Sequence, residues 1–146
     1  MIEMLISTKG RYALRVLIDM AEHSTSEYIK LKDIAERQEI SEKYLESIVK
    51  QLVVNKIVTG LRGKGGGYKL AKAPDEIIVG EVLRFMEGSL APVACMEETN
   101  LPCPRVGECR TREFWRGLND VIRNYTDSFT IADLARSDSA AYDYVI

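Results

Sequence analysis

The sequence predicts a mainly α-helical protein: a winged helix-turn-helix with a small β-hairpin wing, followed by a long C-terminal dimerisation helix. Three observations predict it. Two short amphipathic helices joined by a tight turn occupy residues 32–53, and a hairpin pattern with Arg62-Gly-Lys-Gly-Gly-Gly67 at its tip follows at once. A continuous apolar stripe then runs through residues 111–128. All three cysteines, Cys95, Cys103 and Cys109, lie between the hairpin and that last helix.

A chain of 146 residues is long enough to bury a core without disulfide staples. With 46% apolar and 29% charged residues it has the composition of a soluble globular protein. Residues 1–10 carry no basic flank before their short apolar run, so no signal peptide is expected. No stretch approaches the roughly 20 apolar residues of a membrane span. A cytoplasmic protein is therefore expected, and its clustered, odd-numbered thiols suit metal or redox chemistry better than structural bridges. The net charge of −2 by itself argues against a nucleic-acid partner, but the distribution of charge points the other way. Residues 30–72 hold ten basic against five acidic side chains, whereas residues 1–29 net −1 and residues 73–146 net −6. A basic middle between acidic flanks is the electrostatic footprint of DNA binding, with an ordinary solvated surface as the alternative.

Taken in order, Thr8 can cap a helix whose apolar positions run from Tyr12 to Ala21, and His23 falls at its C-terminal end. Residues 28–31 have β character, and residues 32–38 form a brief amphipathic helix with Ile34 and Ala35 facing inward. After a turn at Glu39-Ile40, Ser41 caps a second helix with Tyr44, Leu45, Ile48, Val49, Leu52 and Val53 on one face. Any helical hairpin could show this pattern. The strand-like Ile57–Leu61 and Tyr68–Ala71 decide it, because a helix-turn-helix followed by a basic hairpin is a winged helix. Four glycines in five residues let the hairpin tip approach another surface closely. A phosphate loop does not fit, since these glycines neither open a helix nor match the required spacing. A further helix spans 77–87, closed by Gly88, with Val79, Val82, Leu83, Phe85 and Met86 expected in the core. In the long helix, Phe114, Trp115, Leu118, Val121, Ile122 and Tyr125 form a stripe suited to a second subunit or to plain core packing. Residues 130–135 are a final capped turn or two.

The cysteines have the spacing C-x7-C-x5-C in a loop with two prolines and a glycine. Thiolates are the standard ligands of iron–sulfur clusters, and such a loop can wrap one. Zinc is a rival, although it commonly takes paired ligands and four of them. A thiol–disulfide switch is the other rival. Spacing alone leaves the three open.

The segments Ile6–Arg15, Ile40–Glu46, Arg62–Tyr68 and Trp115 with Thr130–Leu134 resemble, in order and spacing, the Rrf2 family of bacterial winged-helix regulators. The cysteine trio is similar to its iron–sulfur (IscR- and NsrR-like) branch. The resemblance covers residues 5–135 and divides the chain into a DNA-binding domain (1–88), a cluster-binding loop (89–109), a dimerisation helix with its cap (110–138) and a flexible tail (139–146). It implies a homodimer on a roughly palindromic DNA operator, without enzymatic activity. The helix beginning at Ser41 is then the recognition helix, with Ser41, Lys43, Tyr44, Glu46 and Ser47 at the major groove. Arg62, Gly63, Lys64 and Gly65 of the wing tip enter the minor groove. Glu46 can accept from cytosine N4, Lys43, Lys64 and Lys69 suit phosphates, and Arg62 suits a narrow minor groove. Cys95, Cys103 and Cys109 carry an iron–sulfur cluster, [2Fe–2S] ahead of [4Fe–4S]. The histidine that IscR-like members carry three residues past the last cysteine is Arg112 here, which has no lone pair to offer a metal. Glu3, His23, Glu97, Glu98, Glu108, water or an external thiol remain as fourth ligands. The alternative is a cluster-free regulator of cysteine or sulfur metabolism, using a thiol switch or a protein partner.

Overall fold

The computed structural model describes residues 6–23, 27–97 and 109–136. Cys103, Glu3, Glu98, Glu108 and the tail from residue 137 fall outside them. Helix α1 (Thr8–Glu22) buries Ala13, Val16, Leu17 and Met20 along one stripe. Its cap is Ser7 rather than Thr8. The Ser7 hydroxyl accepts from Gly10 N and donates to Glu87 Oε1 at 2.7 Å, a distant partner that only the fold supplies. Thr8, released from capping, lies 3.0 Å from the Tyr44 hydroxyl through its own Oγ1.

Helix α2 (Leu31–Gln38) and helix α3 (Glu42–Val54) form the helix-turn-helix. Between them Glu39 takes the left-handed conformation at φ 55°, which lets Ile40 N bond back to Ala35 O and sink its side chain into the core. Ser41 caps α3 by accepting from Tyr44 N at 3.2 Å. Leu45, Ile48, Val49 and Leu52 are fully buried, so the helix keeps its opposite face for solvent.

Strands β1 (Val58–Leu61) and β2 (Gly67–Leu70) pair antiparallel, with Val58 opposite Leu70 and Leu61 opposite Gly67. The expected β character near residue 29 reduces to a single bridge, in which Ile29 and Tyr68 exchange two 2.7 Å backbone bonds. Gly67 stands at φ 146°, where a Cβ would collide with the Ile29 carbonyl.

Helix α4 (Val79–Glu87) starts two residues later than the sequence predicts. Ile77 and Ile78 are drawn into extended pairing instead: Val79 N bonds Phe129 O and Ile131 N bonds Ile77 O, both at 2.9 Å. Phe85, which the sequence puts in the core, is 45% exposed because α4 turns Val82, Leu83 and Met86 inward. Helix α5 (Arg112–Asp127) crosses α4, and Gly80 permits the contact, since a Cβ there would meet the Asp127 carboxylate. Helix α6 (Ile131–Arg136) is capped reciprocally, Thr130 N donating to Asp133 Oδ2 and Asp133 N to Thr130 Oγ1. It folds back on α1 and buries Ile131 completely.

Among the described residues one charged side chain sits inside this core. Asp19 is 1% exposed and accepts from Arg37 (Nη2 at 2.7 Å, Nε at 3.0 Å) and from Gln38 Nε2 at 2.9 Å. Burial pushes its carboxyl up, but those hydrogen bonds and the Arg37 and His23 charges outweigh burial and hold it below the usual aspartate range. A depressed folded value means stabilisation that is present above about pH 4 and lost as pH falls through the folded value. Asp19→Asn is expected to cost about 2 kcal/mol in urea unfolding at pH 7. The gap to the unsubstituted protein should narrow as unfolding is repeated toward pH 3; a gap independent of pH would contradict a charged, hydrogen-bonded Asp19.

Candidate nucleic-acid interface and cysteine site

The face of α3 opposite its buried stripe presents Lys43, Glu46, Ser47 and Lys50, at i, i+3, i+4 and i+7, all exposed. Four of the side chains expected at a groove are already engaged. Ser41 is the cap. Ser47 Oγ donates to Tyr44 O at 2.6 Å, so its hydroxyl is bonded back to the helix. The Tyr44 hydroxyl meets Thr8 and its ring packs edge-on against Tyr12 at 5.8 Å, tying α3 to α1. Glu46 pairs with Lys50 across 3.7 Å.

Beside this face stands the wing. Arg62, Gly63, Lys64 and Gly65 are exposed at its tip, and a 3.0 Å bond from Gly66 N to Gly63 O closes the turn. Gly63 and Gly65 have φ values of 95° and 77°, which ordinary side chains rarely adopt. Lys69 does not project freely: its ammonium lies 4.7 Å from the centroid of the Tyr28 ring. Arg37, counted in the basic middle of the chain, is bound to Asp19. The free positive charge of residues 30–72 is therefore less than the sequence total suggests; Lys43 on α3, Arg62 and Lys64 on the wing, and Lys30, Lys32, Lys56 and Lys72 stay exposed.

Cys95 lies in a one-turn 3₁₀ segment, Ala94–Met96, that packs against α5. A cleft of about 100 Å³ separates them, with Arg84, Met96, Glu97, Asn119 and Ile122 in its lining. Cys109 lies just before α5. Both thiols are exposed and unbridged. Cys109 Sγ is 3.4 Å from Thr111 Oγ1, which itself accepts from Trp115 Nε1 at 3.2 Å. Since the indole N–H can only donate, the Thr111 proton is left for the sulfur. That hydrogen bond comes first among the causes that hold the Cys109 thiol below its usual range, followed by the Thr111 and Arg112 backbone N–H groups and the Arg112 charge. Arg112 pairs with Glu113 at 3.6 Å. Among the described residues no three His, Cys, Asp or Glu side chains converge, and the third thiol of the trio, Cys103, lies outside those residues. Two exposed sulfurs, one biased toward thiolate, are the donor type that iron–sulfur clusters take.

On α5 none of the residues is buried. Phe114, Val121 and Tyr125 are 65%, 64% and 65% exposed, while Trp115, Leu118 and Ile122 are half-buried. The apolar stripe of the sequence thus divides into a flank that the chain covers and a flank that it does not.

Asp19 and Arg37 are the residues that sequence reasoning misses. Their one signal is an acid interrupting the α1 stripe between Leu17 and Met20.

Residues 6–137 match the profile of a protein family described as "Rrf2: Iron-dependent Transcriptional regulator". The protein Rrf2 of Nitratidesulfovibrio vulgaris is 40% identical over 136 residues, spanning 93% of this chain and 90% of that one. Among solved structures, CymR, the global cysteine regulator of Bacillus subtilis, superimposes with a TM-score of 0.73 at 36% identity, covering 90% of this chain and 96% of its own. IscR of T. potens gives a TM-score of 0.73 at 34% identity, covering 94% and 90%.

Alkylation of the reduced, metal-free protein by iodoacetamide is expected to show a pH midpoint for Cys109 below that of an ordinary thiol. Thr111→Val should raise that midpoint, and an unchanged midpoint would remove Thr111 as its cause.

Proposed function

The chain belongs to the Rrf2 family of DNA-binding transcription regulators, and from that premise we propose that its operator binding is controlled by an iron–sulfur cluster on Cys95, Cys103 and Cys109. The observation that carries this reading is that both described thiols adjoin α5, Cys109 just before its first turn and Cys95 in a turn packed against it, while other contacts of α5 lead to the DNA-binding half. When bound, such a cluster would supply sensitivity to oxidants, nitric oxide or iron–sulfur status. The protein's own residues transmit the state. The Cys95 turn rests on α5, and Cys109 is linked to it through Thr111 and Trp115. Ordering of the loop biases the position of α5, and with it the spacing of two recognition helices in a dimer.

The uncovered flank of α5 supports a dimer. Phe114, Val121 and Tyr125 in a row, each about two-thirds exposed, form an apolar face suited to a two-fold partner of the same sequence. On DNA, Lys43 with Arg62 and Lys64 contacts the backbone and minor groove, while Glu46 selects a base that offers an amino group. A second reading, a colourless thiol switch, is favoured by the activated Cys109 alone.

Anaerobic purification separates the two. A brown protein with iron and sulfide on each chain, binding duplex DNA with steep salt dependence, is expected; the iron and sulfide counts also fix the cluster type. Colourless, iron-free protein would overturn the cluster and leave the switch. Cys103→Ala should abolish the chromophore and change operator selection without unfolding the dimer. Identical DNA binding with and without the chromophore would end the sensing role.

Val121→Asp is expected to convert the dimer to a folded monomer in sedimentation velocity and to weaken operator binding by about tenfold or more. A dimer that survives this substitution would place the interface elsewhere.

A further inference from the structure

Glu46 and Lys50 share the exposed face of α3 one helical turn apart, with Lys50 Nζ 3.7 Å from Glu46 Oε1 and side chains 72% (Lys50) and 52% (Glu46) exposed. An exposed pair of this kind adds little to helix stability. Its consequence lies in what happens when the face meets DNA. A carboxylate entering a groove is repelled by the phosphates and loses hydration. Two things can offset that: an amino group on a base edge, cytosine N4 above all, or a cation of the protein's own. Glu46 has one such cation. Among the described residues Lys50 is its only ion-pair partner.

We infer that Lys50 is a specificity-determining residue that acts through Glu46. By neutralising the carboxylate from within the same helix, it lets α3 occupy a groove that lacks the matching amino group. Glu46 imposes discrimination and Lys50 relaxes it. The four-residue offset spans about 6 Å of helix, close to two base-pair steps, so Lys50 stays over the groove while Glu46 addresses one base. The two carboxylate partners are mutually exclusive: Glu46 leaves Lys50 when it takes the base, and Lys50 then returns to solvent. On the matched sequence the base satisfies the carboxylate; on an unmatched one Lys50 does. Specificity here is a difference between these two states, so the strength of the internal pair sets its size.

The inference rests on the reading of α3 as the recognition helix, and the experiment keeps the two apart. The full-length protein is used to select from a randomised duplex library. Dissociation constants are then measured for the best duplex and for one with the amino-bearing base pair opposite α3 replaced. The ratio of the two is compared across Lys50→Met, Lys50→Arg, Glu46→Gln and Glu46→Gln/Lys50→Met, with thermal midpoints confirming that these exposed substitutions leave the fold intact. Lys50→Met is expected to raise the ratio about five- to tenfold, chiefly by weakening the unmatched complex. Lys50→Arg should retain the original ratio, and in the Glu46→Gln background removal of Lys50 should weaken both duplexes equally. If Lys50→Met weakens both duplexes by one common factor in both backgrounds, Lys50 is a phosphate contact only and the inference is overturned while Glu46 stands as a reader. If Glu46→Gln leaves the ratio unchanged, the assignment of Glu46 as a reader itself falls.

Discussion

The structure depends on a carboxylate that has no water. Asp19 lies among Val16, Leu17 and Met20 on the buried side of α1, and a charge there is tolerable only with complete hydrogen bonding. The donors come from Arg37 and Gln38, the last two residues of α2 before the turn. Arg15 reinforces the junction through Gln38, donating to its side chain and its carbonyl. An apolar contact in this place would tolerate sliding, whereas a forked guanidinium on a carboxylate fixes both distance and angle. Because the turn follows immediately, this pair also bears on where α3 leaves and which face it presents outward. The placement of the exposed face of α3 thus rests in part on a charge that lies beneath it.

Helix α5 is under the opposite condition. With no residue buried, it lacks the packing that stabilises most helices in proteins. Among the described residues its attachments include the close pass at Gly80, the 3.0 Å ion pair of Arg84 with Asp127, the Cys95 turn, and the Cys109–Thr111–Trp115 chain. Even the ion pair is incomplete, since Arg84 Nη1 and Asp127 Oδ1 are buried without a well-directed hydrogen bond. In the proposed dimer the uncovered flank of α5 would gain the packing that a single chain does not give it, so the placement of this helix would be set by contacts between chains as much as by contacts within one.

The sequence disclosed whatever depends on neighbours along the chain. The α3 stripe, the Ser41 cap, the glycines of the wing tip and the Gly88 stop each follow from spacing or from one residue's backbone preference, and each is where local physics puts it. The misplacements share one cause, a partner far away in sequence. Ser7 displaces Thr8 as the cap because Glu87, 80 residues on, holds it. Ile77 and Ile78 leave the helix pattern because residues 129–131 offer them backbone pairing. Phe85 has the right chemistry for the core, but α4 has a buried side narrower than its apolar residues allow. At the site, periodicity exposed the polar face of α3, but it could not show that Tyr44 and Ser47 already have partners.

The same long-range contacts change the meaning of the charge pattern. Residues 30–72 carry five more cations than anions, which reads as one broad basic surface. In the fold, Arg37 neutralises Asp19, Lys69 sits on the Tyr28 ring and Lys50 faces Glu46. Each of these commits a charge to shape: α2 on α1, the wing on the residue-28 segment, and a carboxylate on its helix. Of the cations that stay exposed, Lys43 stands on α3 and Arg62 with Lys64 on the wing, the two places proposed for DNA contact, together with Lys30, Lys32, Lys56 and Lys72 elsewhere in the segment. Two separated points of positive charge orient a protein on a duplex better than an even coating would, because only one register satisfies both. Three of the ten cations are thus engaged within the fold and the other seven stay exposed, so the fold trims the basic excess of this segment without consuming it.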